Sequence, residues 1–200
     1  MVNFISPLNG EIKVVEFFGK LILYVNDAEQ SGGTIAGMWQ KAVKKVQSSK
    51  FKVQSCLILG LGGGTVIKIL QKYYPEVYMD VIEFDLAIID IAKKYFDIGK
   101  IDNLNIINAD AFKWIKQVRN NYDLIIFDLY VGKTNPRKSR TIDFLKDLKK
   151  ILKKAGIILF NAHYQNDEGE YDKLLKDCRQ VFTIVDLILI YPYSRILRLR

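Results

Sequence analysis

The apolar positions of this chain change period along its length. Residues 11–25, EIKVVEFFGKLILYV, read as two strands joined by a tight turn near Phe18-Gly19-Lys20, which makes residues 1–30 a small N-terminal β-hairpin unit. Gly32-Gly33 interrupt that pattern. Ile35, Met38, Trp39, Ala42, Val43 and Val46 then recur at the spacing of a helix face, so residues 31–50 read as a linking helix. From Lys52 onward, short apolar runs alternate with amphipathic ones. The pattern predicts strands over 55–59, 78–82, 104–108, 124–127 and 157–160, and helices near 65–73, 86–96, 111–119, 141–153 and 170–179. The strands are nearly all apolar, as expected where both faces of a parallel sheet are covered. This alternation makes residues 51–200 a doubly wound, Rossmann-like α/β domain.

The ending differs. Residues 182–190 and 195–199 read as strands around Tyr191-Pro192-Tyr193-Ser194, and so short a connection requires antiparallel pairing. A mostly parallel sheet closed by an antiparallel hairpin is the architecture of class I methyltransferases.

The candidate chemistry sits at the strand ends. In residues 56–68, CLILGLGGGTVIK, an apolar run ends in Gly60, Gly62, Gly63 and Gly64 before a helical pattern starts at Thr65. Glycines let backbone approach a ligand, and free N–H groups at a helix start attract electron-rich groups. Three acids follow on successive strands. Glu83 ends the second, 19 residues after Gly64, where a carboxylate is expected to accept both ribose hydroxyls. Asp110 precedes Ala111-Phe112 at a helix start, where it is an N-cap and a candidate acceptor for an adenine amino group. Asp128 ends IIFD and faces the crevice beside whatever group is transferred. This arrangement describes a nucleoside-binding crevice at the carboxyl ends of an open α/β sheet. The glycine spacing has Thr65 where a dinucleotide fingerprint wants glycine, and Asp110 is an acid that fingerprint does not use. S-adenosylmethionine or a relative is therefore preferred over a nicotinamide dinucleotide. Each acid also has a plainer role as a helix cap or loop anchor. Tyr130 and Tyr164 are candidate pocket walls, and Trp39 belongs by default to the core stripe of its helix.

Composition narrows the class. Half of the 200 residues are hydrophobic and 26% are charged, ordinary for a globular domain with a full core. No basic stretch followed by an apolar core opens the sequence, so no signal peptide is expected, and no apolar run reaches the roughly 18 residues needed to span a bilayer. Two isolated cysteines, Cys56 and Cys178, suggest reduced thiols of a cytoplasmic protein. No metal-ligand spacing is visible, and the single histidine, His163, reads as structural. The formal charge of +8 is mostly lysine on helix faces, a solvated surface rather than a nucleic-acid interface. One local cluster stands out: Lys133, Arg137, Lys138 and Arg140 follow Asp128 with no acid between Leu129 and Arg140.

Together these segments resemble the spermidine synthase group, the polyamine aminopropyltransferases, within the class I S-adenosylmethionine-dependent methyltransferase superfamily. EIKVVEFFGKLILYVNDAEQ is similar to that group's N-terminal hairpin, with Gln30 at its end. CLILGLGGGT resembles its glycine motif, VIEFDLAIIDIAKKYF its ribose-binding motif, NADAF its adenine motif, and YDLIIFD the strand carrying its catalytic aspartate. The resemblance implies Glu83 on ribose, Asp110 with Ala111 on adenine, and Asp128 as general base. It places Trp39-Gln40 where the group has an aromatic and a polar residue that touch the substrates. The implied binding set is Gly60, Gly62, Gly63, Gly64, Glu83, Asp110, Ala111, Gln30 and Gln40, with Tyr130, Lys133, Arg137, Lys138 and Arg140 as a gate.

The departures shape the expectation. The group carries an aspartate at the position of Gly63, which holds the amine of decarboxylated S-adenosylmethionine, and a second at the position of Val131, which helps hold the diamine. Its proline-rich gate is replaced by GKTNPRKSR. A basic gate repels a polycation, and a glycine turn accepts the carboxylate of unmodified S-adenosylmethionine. The expectation is therefore methyl transfer from S-adenosylmethionine to a small-molecule acceptor. Aminopropyl transfer from decarboxylated S-adenosylmethionine is the alternative, and a non-catalytic nucleoside-binding protein is a second one. The oligomeric state is open, a homodimer included.

Overall fold

The computed structural model describes residues 1–48, 51–131, 134–163, 167–191 and 194–200. Two sheets and the helices packed on them make up the fold. The first sheet is antiparallel, with β1 (Val2–Ser6), β2 (Gly10–Phe17), β3 (Lys20–Val25) and β4 (Ala28–Ser31) in chain order. The expected hairpin is β2–β3, turning on Phe18 and Gly19, both at positive φ. A second turn of the same kind, at Asn26 and Asp27, returns the chain into β4. Asn and Asp tolerate the left-handed region that such two-residue turns need. The unit is thus twice the predicted hairpin, because β1 and the short, polar β4 lack a strong apolar period.

Helix α1 (Gly33–Gln47) leads to the second sheet. That sheet contains β5 (Ser55–Leu59), β6 (Tyr78–Glu83), β7 (Leu104–Asn108), β8 (Tyr122–Phe127), β9 (Leu152–His163), β10 (Val185–Tyr191) and β11 (Ser194–Leu199). Their order is β10-β11-β9-β8-β5-β6-β7. Strands β5 to β9 pair in parallel, and β11 runs antiparallel to both of its neighbours. The remaining helices are α2 (Thr65–Tyr73), α3 (Leu86–Tyr95), α4 (Ala111–Trp114), α5 (Ile142–Lys150) and α6 (Glu168–Val181). This is the doubly wound α/β architecture with a C-terminal antiparallel hairpin.

Alternation along each strand divides the core. Cys56, Ile58, Val81 and Ile126 pack with α1, α2, α3 and the inner face of the N-terminal sheet, through Ile12, Val14, Leu23 and Val25. Leu57, Leu59, Ile125 and Phe127 pack on the other face with α4, α5 and α6. Both faces of the central strands are therefore apolar, which explains their unbroken hydrophobic runs. The predicted helix over 111–119 shrinks to α4: only Ala111 and Ile115 are buried there, and the chain turns away before Asn120-Asn121. Cys56 and Cys178 are both buried and free. Among the described residues no helix is long and apolar enough to cross a membrane.

Candidate functional site

The carboxyl ends of β5, β6, β7 and β8 open onto one cavity of about 320 Å³. Its walls include Gly60, Gly62, Glu83, Asp110, Ala111 and Asp128, with Gln30 from β4, Tyr130 from the loop after β8, and Leu8 and Asn9 from the β1–β2 loop. The three acids read from successive strand ends thus meet in one place. Among the described residues that line this cavity there are three carboxylates and no lysine, arginine or histidine.

The glycine turn is shaped by its neighbours. A Cβ placed at Gly60 would lie 2.4 Å from the carbonyl oxygen of Asp128, so only glycine lets β5 run this close to the loop after β8. Gly63 has a different reason. A Cβ there would sit 2.9 Å from both the Phe96 ring and Ser31 Oγ. Gly63 and Gly64 pack against the protein interior and do not line the cavity, in contrast to the expectation that all four glycines touch the ligand. The turn is also tied to the N-terminal sheet, since Thr65 Oγ1 accepts from the N–H of Gly32 at 2.9 Å and shares a hydrogen bond with Ser31 Oγ.

Glu83 is held from two sides. Its Oε2 accepts from the N–H of Leu61 at 3.1 Å, within the glycine turn, and its Oε1 accepts from the N–H of Asp85 at 2.9 Å. Burial pushes its carboxyl up from the usual range, partly offset by these backbone donors. Each oxygen retains a lone pair for a vicinal diol. Asp110 caps α4 by accepting from Phe112 N–H at 2.8 Å and also lines the cavity. Next to Glu83, Asp85 is buried. It caps α3 through Ala87 N–H and accepts from Ser6 Oγ and from Asn9 Nδ2 at 2.7 Å. That contact pins the β1–β2 loop against the cavity, which Leu8 and Asn9 line.

Asp128 is the most perturbed acid at the site. Its Oδ2 accepts from Trp39 Nε1–H at 2.9 Å, and its Oδ1 from Asn161 Nδ2 at 2.8 Å. Burial raises its carboxyl to about 6, against the pull of these two donors. Asn161 Nδ2 also donates to the Tyr130 hydroxyl at 2.7 Å, and burial raises the pKa of that phenol. Behind Tyr130, His163 packs edge-on at 5.5 Å between centroids, and burial followed by the nearby Arg140 lowers its pKa.

Asn161 is the residue that sequence reading missed, and Trp39 was pointed to only by the family resemblance, its spacing assigning it to the core. Trp39 belongs to an apolar stripe, but a buried indole N–H needs an acceptor, and here the acceptor is Asp128. Asn161 is the single polar side chain in the otherwise apolar run over 156–162. Gln40, expected at the ligand, is exposed and off the cavity wall.

The gate differs most from expectation. Arg137 and Lys138 are exposed and do not line the cavity, with the Lys138 ammonium 5.7 Å from the ring centre of Phe112, which does. Arg140 is tied to α6 and β9, with one guanidinium nitrogen on Glu170 and the other donating to the His163 carbonyl at 2.7 Å. Lys133 and Tyr164 lie outside the described residues. The loop presents Tyr130, Val131 and Pro136 to the cavity, and its described charged side chains are not among the lining residues.

Residues 40–193 match the family model described as spermine/spermidine synthase domain. The chain belongs to this family. Among its relatives is a polyamine aminopropyltransferase of Vibrio vulnificus (strain CMCP6), 34% identical over 114 residues, which are 56% of this chain and 38% of that protein. Another, from Prochlorococcus marinus (strain MIT 9215), is 26% identical over an alignment covering 92% of this chain and 74% of that one. The chain thus spans well under half the length of the first relative. A crystal structure titled a probable spermidine synthase, from Corynebacterium glutamicum ATCC 13032, superposes with a TM-score of 0.85 at 18% identity, covering 99% of this chain and 79% of that one. The family's fold is therefore present from β1 to β11.

Proposed function

We propose that this chain is an aminopropyltransferase that takes decarboxylated S-adenosylmethionine as donor and an amine as acceptor. The observation that carries the reading is the charge of the cavity: three carboxylates and no basic side chain among its described lining residues, in a protein of net charge +8. A cleft of one sign concentrates the opposite sign. The decarboxylated donor carries two positive charges and no carboxylate, whereas unmodified S-adenosylmethionine would bring an anion against Asp128. The expectation of methyl transfer leaned on a basic gate, and none of the described gate cations lines the cavity, Arg140 being paired with Glu170. The family match and the two aminopropyltransferase relatives above favour the same correction.

In this reading Glu83 receives the ribose hydroxyls and Asp110 the adenine amino group. Leu8 and Asn9 close the nucleoside end. Asp128 takes a proton from the acceptor ammonium, for which a carboxyl raised to about 6 is matched to neutral pH. The freed amine lone pair forms the new N–C bond, the C–S bond breaks with its electron pair on sulfur, and the sulfonium becomes a neutral thioether. The linking helix α1 is part of the site through Trp39, so residues 1–50 and 51–200 act as one catalytic unit. Calorimetric titration tests the donor. Tighter binding of the decarboxylated form, with aminopropyl transfer detected by mass spectrometry, is expected; tighter binding of S-adenosylmethionine with methyl transfer sinks the reading.

A further inference from the structure

The positive charge of the chain is not spread evenly. Residues 111–123 and 141–154, which hold α4, α5 and the starts of β8 and β9, contain eight lysines and arginines against three aspartates. That is a surplus of five out of a net charge of +8. An open groove of about 710 Å³ runs there, between the end of α4 and α5, and shares no lining residue with the acid-lined cavity. Lys116, Arg119, Lys146 and Lys150 line it, with Asp143 and Asp147. Several charges of this flank are already committed. Lys150 holds Asp147 at 3.0 Å, Lys153 holds Asp123 at 2.9 Å, and Lys149 donates to the Val181 carbonyl. Asp143 stands in the first turn of α5, where it offsets the positive end of that helix. Lys116, Arg119 and Lys146 have no ion pair among the described residues. Lys146 and Lys150 also lie four residues apart on α5, a spacing at which like charges repel. The groove thus gathers cations from two elements at a cost that a bound anion would remove.

We infer that this groove is a second binding site, for an anion with two or more linked phosphate groups. Linked phosphates bring several negative charges close together, which suits three uncommitted cations on facing elements. Arg119 offers a planar fork that bonds two phosphate oxygens at once, and the two lysines act as point charges. The groove has room for more than one phosphate, and Val118 and Ile151 give it an apolar edge. The donor cavity cannot take the same ligand, because its three carboxylates repel it. The two sites are back to back on one short segment: Ala111 and Phe112 line the cavity, and Ile115 and Lys116 line the groove. The inference is independent of which group the cavity transfers.

The test is calorimetric titration of the full chain with inorganic tripolyphosphate, ATP and orthophosphate, each without metal. The parent is compared with a variant combining Lys116→Gln, Arg119→Gln and Lys146→Gln, and with a control combining Arg137→Gln and Lys138→Gln. All five side chains are exposed, so glutamine leaves the core intact, and melting curves verify this. One tripolyphosphate per chain is expected, bound more tightly than orthophosphate. Its affinity should fall by roughly tenfold in the groove variant, since an exposed charge pair is worth only a few-fold, and stay unchanged in the control. ATP binding more tightly than tripolyphosphate, with the same loss in the groove variant, makes a nucleotide the source of the phosphates; equal affinities make the phosphate chain sufficient. Tripolyphosphate bound no better than orthophosphate overturns the linked-phosphate assignment. An equal loss in both variants, or none in the groove variant, means diffuse attraction to a basic surface and overturns the site.

Discussion

The indole N–H of Trp39 donates to Asp128 Oδ2 at 2.9 Å, joining α1 to the end of β8 across 89 positions of sequence. An indole nitrogen donates and does not accept. Trp39 therefore orients the carboxylate without competing for its proton. Trp39→Phe removes that donor while keeping the ring's bulk. Its transfer rate should fall with donor affinity retained, and the lower limb of the pH–rate profile should move up, because a donor that stabilises the charged carboxylate is gone. Steady-state rates from pH 5 to 9 check this.

Asp128→Asn should lower kcat by about 10²–10⁴-fold, with the donor still bound. It should also change the pH dependence of stability. The folded carboxyl is raised to about 6 from 3.8, so between those values the native state binds more protons than the unfolded one, and stability falls as pH rises. Asparagine removes that loss. Relative to the parent, the variant should gain about 3 kcal/mol between pH 3.5 and pH 7.5. Chemical denaturation at both pH values reads the difference, and parallel curves would mean that Asp128 is not perturbed.

Glu83→Ala should weaken donor binding by about 2–4 kcal/mol if two charge-assisted ribose bonds are lost. It should also cost stability, by about 1–3 kcal/mol, because the backbone N–H groups of Leu61 and Asp85 lose their acceptor. Calorimetric titration beside thermal unfolding separates the two effects. Full affinity in a folded variant would remove Glu83 from the site.

Gly63→Asp should not build a new amine contact. Its Cβ would meet Phe96 and Ser31 at 2.9 Å, an overpacked position costing about 1–3 kcal/mol. A lowered Tm is expected, with partial recovery when Phe96→Leu is added. A Gly63→Asp protein as stable as the parent, binding the decarboxylated donor more tightly, would contradict the packing described.

Neutralising Arg137 and Lys138 to glutamine should leave the acceptor KM and its salt dependence unchanged, since both side chains face solvent. Arg140→Gln should instead lower Tm, because it breaks the contacts to Glu170 and the His163 carbonyl. Kinetics at 50 and 500 mM salt, with melting curves, distinguish a gate from a brace.

Legibility in sequence followed locality. The α2 boundaries match the prediction because the glycine turn and the helix start are adjacent in the chain. Glu83, Asp110 and Asp128 were legible because a parallel sheet sends every strand's carboxyl end to the same edge. Trp39 was not, since an apolar stripe records that a ring is buried and not where its N–H points. Nor was the orientation of Arg140, whose partner Glu170 lies 30 residues on. Charge clusters along a chain say nothing of which carboxylates the fold brings to them. The strands β1 and β4 escaped because edge strands of four or five mixed residues carry little period.

The contact between Gly60 and the Asp128 carbonyl has a consequence for how the chain is made. Strand β5 lies between β6 and β8, so the pairing that seats the glycine turn must wait until all of β8 has been synthesised. Closing so long a loop is slow compared with forming α2 or α3. During translation the nascent chain therefore holds a finished β5–β6–β7 unit with an open, apolar edge at β5, and no binding site at all. Arrested chains ending just after Phe127 should be sticky and inert toward the nucleoside, whereas those that also expose β11, which covers the β9 edge, should cease to aggregate.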